Sequence, residues 1–118
     1  LLAACAAPDA HIDEASRADP ACRAEPHAAL DALRRDLGLA IVVDDAAVDD
    51  LLGAGDLARS YARDGTRFTA EFGLFRDGDA CALRLYAIST ATPGTTTTRT
   101  GDFGSIALTA CACVNAPK

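Results

Sequence analysis

The stretch RFTAEFGLFRDGDACALRLYA, Arg67 to Ala87, decides how the chain folds. Phe68, Ala70, Phe72 and Leu74 alternate with Thr69, Glu71 and Gly73, the two-residue period of a strand with one buried face. Arg76-Asp77-Gly78-Asp79 then supplies a turn, and Asp-Gly is a strong hairpin signal because tight hairpin turns need positive φ. Cys81, Leu83, Leu85 and Ala87 alternate back with Arg84 and Tyr86. The pattern predicts an antiparallel hairpin with Cys81 on its inward face and Arg84 and Tyr86 on its outward face.

Upstream of this hairpin the apolar period is 3.6. Glu25-Pro26 is expected to open a helix, since proline suits a first turn, with Leu30, Leu33 and Leu37 on one stripe and Gly38 at its end. Leu39 to Val43 is a continuous apolar run, which predicts a strand buried on both faces. Asp44 or Asp45 can cap a second helix carrying Val48, Leu51 and Leu52. Gly53 and Gly55 should break that helix, with Asp56 restarting a short one through Ala58, Tyr61 and Ala62 that Asp64-Gly65 ends. Downstream, STATPGTTTTRTGD (Ser89 to Asp102) reads as a long polar loop and Phe103 to Val114 as a last strand. The expected order α-β-α-β-β-β describes an α+β domain: two helices on a small, mostly antiparallel sheet.

At 118 residues the chain is expected to form one domain. Half of its residues are hydrophobic, but alanine supplies much of that share, and the aromatics are few, with no tryptophan. Such a core buries less area per residue than an aromatic one, so covalent cross-links would help. The formal charge is −6, and the adjacent basic pair Arg34-Arg35 is flanked by Asp31 and Asp36. Nucleic acid, which wants a basic stripe, is excluded as a partner on this reading. No apolar run approaches the roughly 18 residues of a membrane span.

The five cysteines are Cys5, Cys22, Cys81, Cys111 and Cys113, an odd number. Cys22 and Cys81 are each expected to pair with one of Cys111 and Cys113, because a ring between residues two apart is strained; which takes which is left open. Zinc is the alternative use, with His11 and His27 as further ligands. The single residue between Cys111 and Cys113 is shorter than the usual structural zinc spacing, so no metal is expected.

Leu2-Ala3-Ala4-Cys5 resembles the lipobox of bacterial lipoproteins, in which an apolar and two small residues precede a cysteine that is lipidated on its thiol, exposed by cleavage and then acylated. The resemblance implies that residues 1–4 end a signal peptide and that Cys5 carries a lipid. Residues 5–26 are rich in proline, small residues and carboxylates and would be a flexible tether, leaving 27–118 as the folded domain. The implied protein is exported, faces the cell envelope and touches membrane through its anchor alone. Ala29 to Val48 also resembles the helix–strand unit of the small N-terminal domains of secretins and TonB-dependent receptors, an amphipathic pattern that carries no chemistry.

No catalytic residues stand out. Ser16, Ser60, Ser89 and Ser105 lie in no nucleophile-elbow setting, and a histidine base could come only from His11 or His27. Asp44-Asp45 and Asp49-Asp50 could serve acid/base chemistry or hold a cation, but also read as a solvated helix start. Gly53-x-Gly55 has acidic neighbours that would repel phosphate. Arg84 and Tyr86, with Arg67 and Arg76 nearby, are residue types enriched at interaction hot spots. The expectation is a non-catalytic binding domain without cofactor, acting on a protein or small-ligand partner in the envelope; the alternative is a small periplasmic enzyme or metal-binding protein using the acidic 44–56 region or the cysteines.

Overall fold

Aspartates start all three helices of the computed structural model, which describes residues 10–109 with Cys111, Cys113 and Val114. The Asp13 carboxylate accepts from Ser16 N at 2.8 Å and opens α1, Glu14–Arg17. Asp19 accepts from Ala21 N at 3.0 Å ahead of α2, Pro20–Asp36, and Asp44 accepts from Ala47 N at 3.0 Å ahead of α3, Asp45–Ala54. Each carboxylate satisfies a first-turn N–H that has no partner inside the helix, and its charge favours the positive end of the helix dipole.

α2 begins at Pro20, so the expected start at Glu25-Pro26 is corrected. Proline is tolerated at the first helical position, and that position belongs to Pro20; Pro26 lies inside the helix and is buried with Cys22, Ala29, Leu30 and Leu33. The folded unit also starts earlier than residue 27. Ala10 and Ile12 are buried in the core, so the stretch from 10 to 26 is packed structure and not a tether. Residues 1–9, including Cys5, lie outside the described residues.

The sheet is a four-stranded antiparallel meander in the order β1-β2-β3-β4, formed by Asp56–Arg63, Thr66–Asp77, Ala80–Thr92 and Thr95–Leu108. Its class is α+β, with helices on one side of an antiparallel sheet. The predicted hairpin is present as β2 and β3, joined through Gly78 at positive φ. Three neighbouring expectations change. Leu39 to Val43 forms no strand: it links α2 to α3 with Leu39 and Ile41 turned inward and Val42 70% exposed. A strand needs a ladder partner, and this segment has none, so its apolar residues are only half used.

Residues 56–63 form β1 and not a short helix. Leu57 and Tyr61 are the inward residues; a spacing of four is even as well as helical, so it fits one face of a strand equally. Asp64 and Gly65 both have positive φ, as a two-residue hairpin turn requires, and they fold β1 back onto β2. The polar stretch from Ser89 to Asp102 is likewise no loop. Thr92 pairs with Thr95 around Pro93-Gly94, and the threonines continue into β4 because their β-branched side chains suit a pleated strand. β4 ends at Leu108, short of the expected Val114.

The core lies between the helices and one sheet face, where Phe72, Leu74, Leu83 and Leu85 meet Leu30, Leu33, Val48, Leu51 and Leu52. Past β4 the chain is tied back by disulfides Cys81–Cys111 and Cys22–Cys113, by Arg76 donating to the Val114 carbonyl, and by Thr109 N donating to the Glu25 carboxylate at 2.6 Å. At the other end, Ala10 passes over Gly55, the left-handed cap of α3 with φ 81°. A Cβ on Gly55 would collide with the Ala10 carbonyl oxygen.

Two stability measurements follow. Gly65→Ala meets no neighbouring atom and should cost about 1 kcal/mol for the left-handed backbone alone, whereas Gly55→Ala should cost clearly more, about 3 kcal/mol or above, in urea unfolding. The Cys22–Cys113 bridge spans 91 residues and Cys81–Cys111 spans 30. Replacing the first pair by serine should therefore destabilise by about 1 kcal/mol more than replacing the second, from the logarithm of loop length.

Candidate functional site

The inward residues of β2 and β3 are consumed by the core, so the side chains free for recognition are those of the opposite face. Arg84 and Tyr86 lie there, as their alternation with Leu83 and Leu85 requires. The pairing slips by one residue between Leu85 and Ala87, so Tyr86 sits at a bulge where a strand is locally re-aimed. Its ring meets Phe75 edge-on, with centroids 5.8 Å apart, and the Arg84 guanidinium lies 4.5 Å over the Phe75 ring. Phase places Phe75 outward, but the sequence reading did not single it out; two positions from Gly73 on the outward phase, an aromatic was the available signal.

Asp102 organises the β4 side of this group. It accepts from Ser105 Oγ at 2.8 Å and from Gly104 N at 3.1 Å, and stands 3.6 Å from Arg84 Nε. That last separation is an ion pair and too long for a hydrogen bond; Arg84 Nε is buried and makes none. The Tyr86 hydroxyl is pushed up to about 12, first by burial and then by the negative charges of Glu71 and Asp56. The phenol therefore stays a neutral donor at any physiological pH.

Of the other expected contributors, Arg67 is exposed on the same face, three rows from Arg84. Arg76 is on the helix side, donating to Gly78 O at 3.0 Å and to the Val114 carbonyl, so it is not part of the group.

Beyond Tyr86 the face is built mostly from small side chains, with Arg67 and Glu71 as its two long ones. Three rows cross all four strands in register: Ala58–Glu71–Ala87–Thr100, Ser60–Thr69–Ser89–Thr98 and Ala62–Arg67–Ala91–Thr96. In the middle row Ser60 Oγ lies 3.0 Å from Thr69 Oγ1, and Ser89 Oγ lies 2.8 Å from Thr98 Oγ1. Ala87 was expected to share the inward phase of Leu83 and Leu85, but the slip at Tyr86 pairs it with outward Glu71 and so moves it to this face, where it is only 2% exposed.

The acidic 44–56 region does not gather in a cleft. Asp44 caps α3, Asp49 pairs with Arg23 at 2.7 Å, and Asp50 pairs with Arg59 at 2.9 Å, with the side chains of Asp49 and Asp50 62% and 59% exposed. Among the described residues no group of three histidines, cysteines or carboxylates is placed to hold a metal ion. The described cavity is a groove of about 370 Å³ beside the Cys22–Cys113 bridge, lined by Ile12, Pro26, Leu108 and Val114 among others. Its carboxylate, Glu25, is already engaged by Thr109 N. The chain matches no family model, none of the curated proteins and no solved structure.

The Tyr86 environment is testable by titration. Ultraviolet difference spectra of the folded protein should show one phenol ionising only near 12, absent in Tyr86→Phe. Because the folded-state value is raised above the ordinary value of 10.0, the stability it confers is fully present below 10. It should be lost as pH rises from 10 towards 12, and urea midpoints in that window should fall more for the native chain than for Tyr86→Phe.

Proposed function

We propose that this chain is an exported lipoprotein, anchored through Cys5, whose folded part is a non-catalytic binding domain at the cell envelope. The observation that carries this reading is the cysteine pairing. Four of the five cysteines are used in two disulfides, and the one left over stands in Leu2-Ala3-Ala4-Cys5, the lipobox-like sequence. A small domain that relies on two disulfides is compatible with an oxidising, exported setting. None of the described helices is long and apolar enough to cross a membrane, which is consistent with attachment by acyl chains.

Packing of Ala10 and Ile12 shortens the linker that this reading allows. Five residue steps separate Cys5 from Ala10, a reach of at most about 18 Å. The domain would be held close to the bilayer, meeting it through the anchor alone. Binding is favoured over catalysis because the acidic residues of α3 are committed to a cap and exposed ion pairs, while the outer sheet face is open and carries Arg84 and Tyr86. Its partner is a protein or small ligand of the envelope, and the reading calls for no cofactor.

The intact mass of the protein made from its complete gene in a bacterium tests the anchor. A chain beginning at Cys5, carrying acyl groups and offering four alkylatable thiols only after reduction is the expected result. Cys5→Ser should then move the protein from the membrane to the soluble fraction. An unmodified Cys5 in a chain that stays soluble would overturn the reading.

A further inference from the structure

We infer that the uncovered sheet face is a self-complementary docking surface for a second copy of this chain. The inference does not depend on Cys5 or on export. It rests on the symmetry of the three rows about their middle one. On β1, Ala58 and Ala62 flank Ser60; on β3, Ala87 and Ala91 flank Ser89; on β4, Thr96 and Thr100 flank Thr98. On β2 the flanking pair is Arg67 and Glu71 around Thr69.

Consider two copies face to face, related by a two-fold axis that runs along the Ser60–Thr69–Ser89–Thr98 row. Each strand then lies over its own counterpart, running the opposite way. Ala58 meets Ala62, Ala87 meets Ala91 and Thr96 meets Thr100 of the other copy, so alanine and threonine match throughout. Arg67 comes opposite Glu71, twice. Such an isologous contact is the commonest way that identical chains associate.

The charges make the case specific. Among the described residues neither Arg67 nor Glu71 forms an ion pair within the chain. Four residues of strand separate their backbones by about 13 Å, with Thr69 between them. A second copy supplies both partners at once. The desolvation cost is low, because the axial hydroxyls already pair within each copy at 3.0 and 2.8 Å, and short side chains lose little rotamer freedom. Sheets with such small residues can approach closely, crossing at about 30° because each is twisted.

The same operation sets Asp56 against Asp64 at an exposed corner, where solvent screens the repulsion. Rows about 6.8 Å apart on strands about 4.8 Å apart cover on the order of 400 Å² of flat area per copy. That is below the ~800 Å² per partner of a standard interface, so the dimer is a weak, reversible one. Tyr86, Phe75 and Arg84 stand at the rim, beside the other copy's Pro93-Gly94 turn.

Sedimentation velocity on the oxidised full chain, from micromolar to millimolar concentration, tests this. It is run with Cys5→Ser as well, so that no intermolecular disulfide can mimic the dimer. The native chain should dimerise reversibly. Arg67→Glu and Glu71→Arg should each weaken the dimer by about tenfold or more, since each turns two attractions into two repulsions. Mixing these two variants should restore a 1:1 heterodimer, and the double swap in one chain should restore the homodimer. Thr98→Lys places like charges together on the axis at an exposed position and should dissociate the dimer without touching Tyr86. A native chain that stays monomeric over the whole range, or a dimer indifferent to the charge swaps, overturns the inference.

Discussion

Burial of Phe72, Leu74, Leu83 and Leu85 under α2 and α3 is the contact on which the rest of the molecule depends. Each such side chain contributes about 2 kcal/mol on leaving water, and four together match the whole net stability of an ordinary domain. Because the inward positions of β2 and β3 alternate, a slip of one residue would expose all four. Register is therefore held by the core, and register in turn decides which residues reach the outer face. The bulge at Tyr86 is the local exception, re-aiming one aromatic beside Phe75 and Arg84.

Both ends of the described chain are fastened to this two-layer unit by different physics. Near the N-terminus, Ala10 and Ile12 are held by burial and by the absence of a side chain at Gly55. Past β4, two covalent bridges do the holding, together with the buried Val114 side chain and the hydrogen bonds at Thr109 and Val114. The acidic composition also has local causes: Asp13, Asp19 and Asp44 begin helices, while Asp31, Asp49 and Asp50 pair with arginines. These uses are exposed and individually weak, yet they occupy carboxylates that would otherwise stand as candidate acids or ligands. Asp31 illustrates the effect, its carboxyl lowered chiefly by the hydrogen bond from Arg34.

The outer face follows from the inner one. Any strand that sends every second residue inward sends the remainder out, and with helices on one side only, those residues form a continuous surface. Here that surface is alanine, serine and threonine with one arginine and one glutamate in its central strand. Short side chains lose little rotamer freedom on contact, which suits association with another sheet face better than enclosure of a small molecule. An aromatic and cationic group, Phe75, Arg84 and Tyr86, stands at its margin.

What the sequence determined by itself was whatever depends on near neighbours in the chain. The hairpin from Phe68 to Leu85, the helix after Asp44, the inward aim of Cys81 and the outward aim of Arg84 and Tyr86 all follow from periodicity and turn chemistry, whereas the bulge that turns Ala87 outward does not. So does the expectation that Cys22 and Cys81 share Cys111 and Cys113, although which pairs with which needed the geometry. Tertiary structure decided the rest. Leu39 to Val43 lacks a ladder partner, Leu57 and Tyr61 satisfy helix and strand spacing alike, and the threonines from 95 to 100 become a strand only because β3 lies beside them. The outer face was invisible for the same reason, since its rows join residues from four strands that are remote in sequence. Local patterns record what one segment prefers, whereas pairing and burial depend on which segments are brought together.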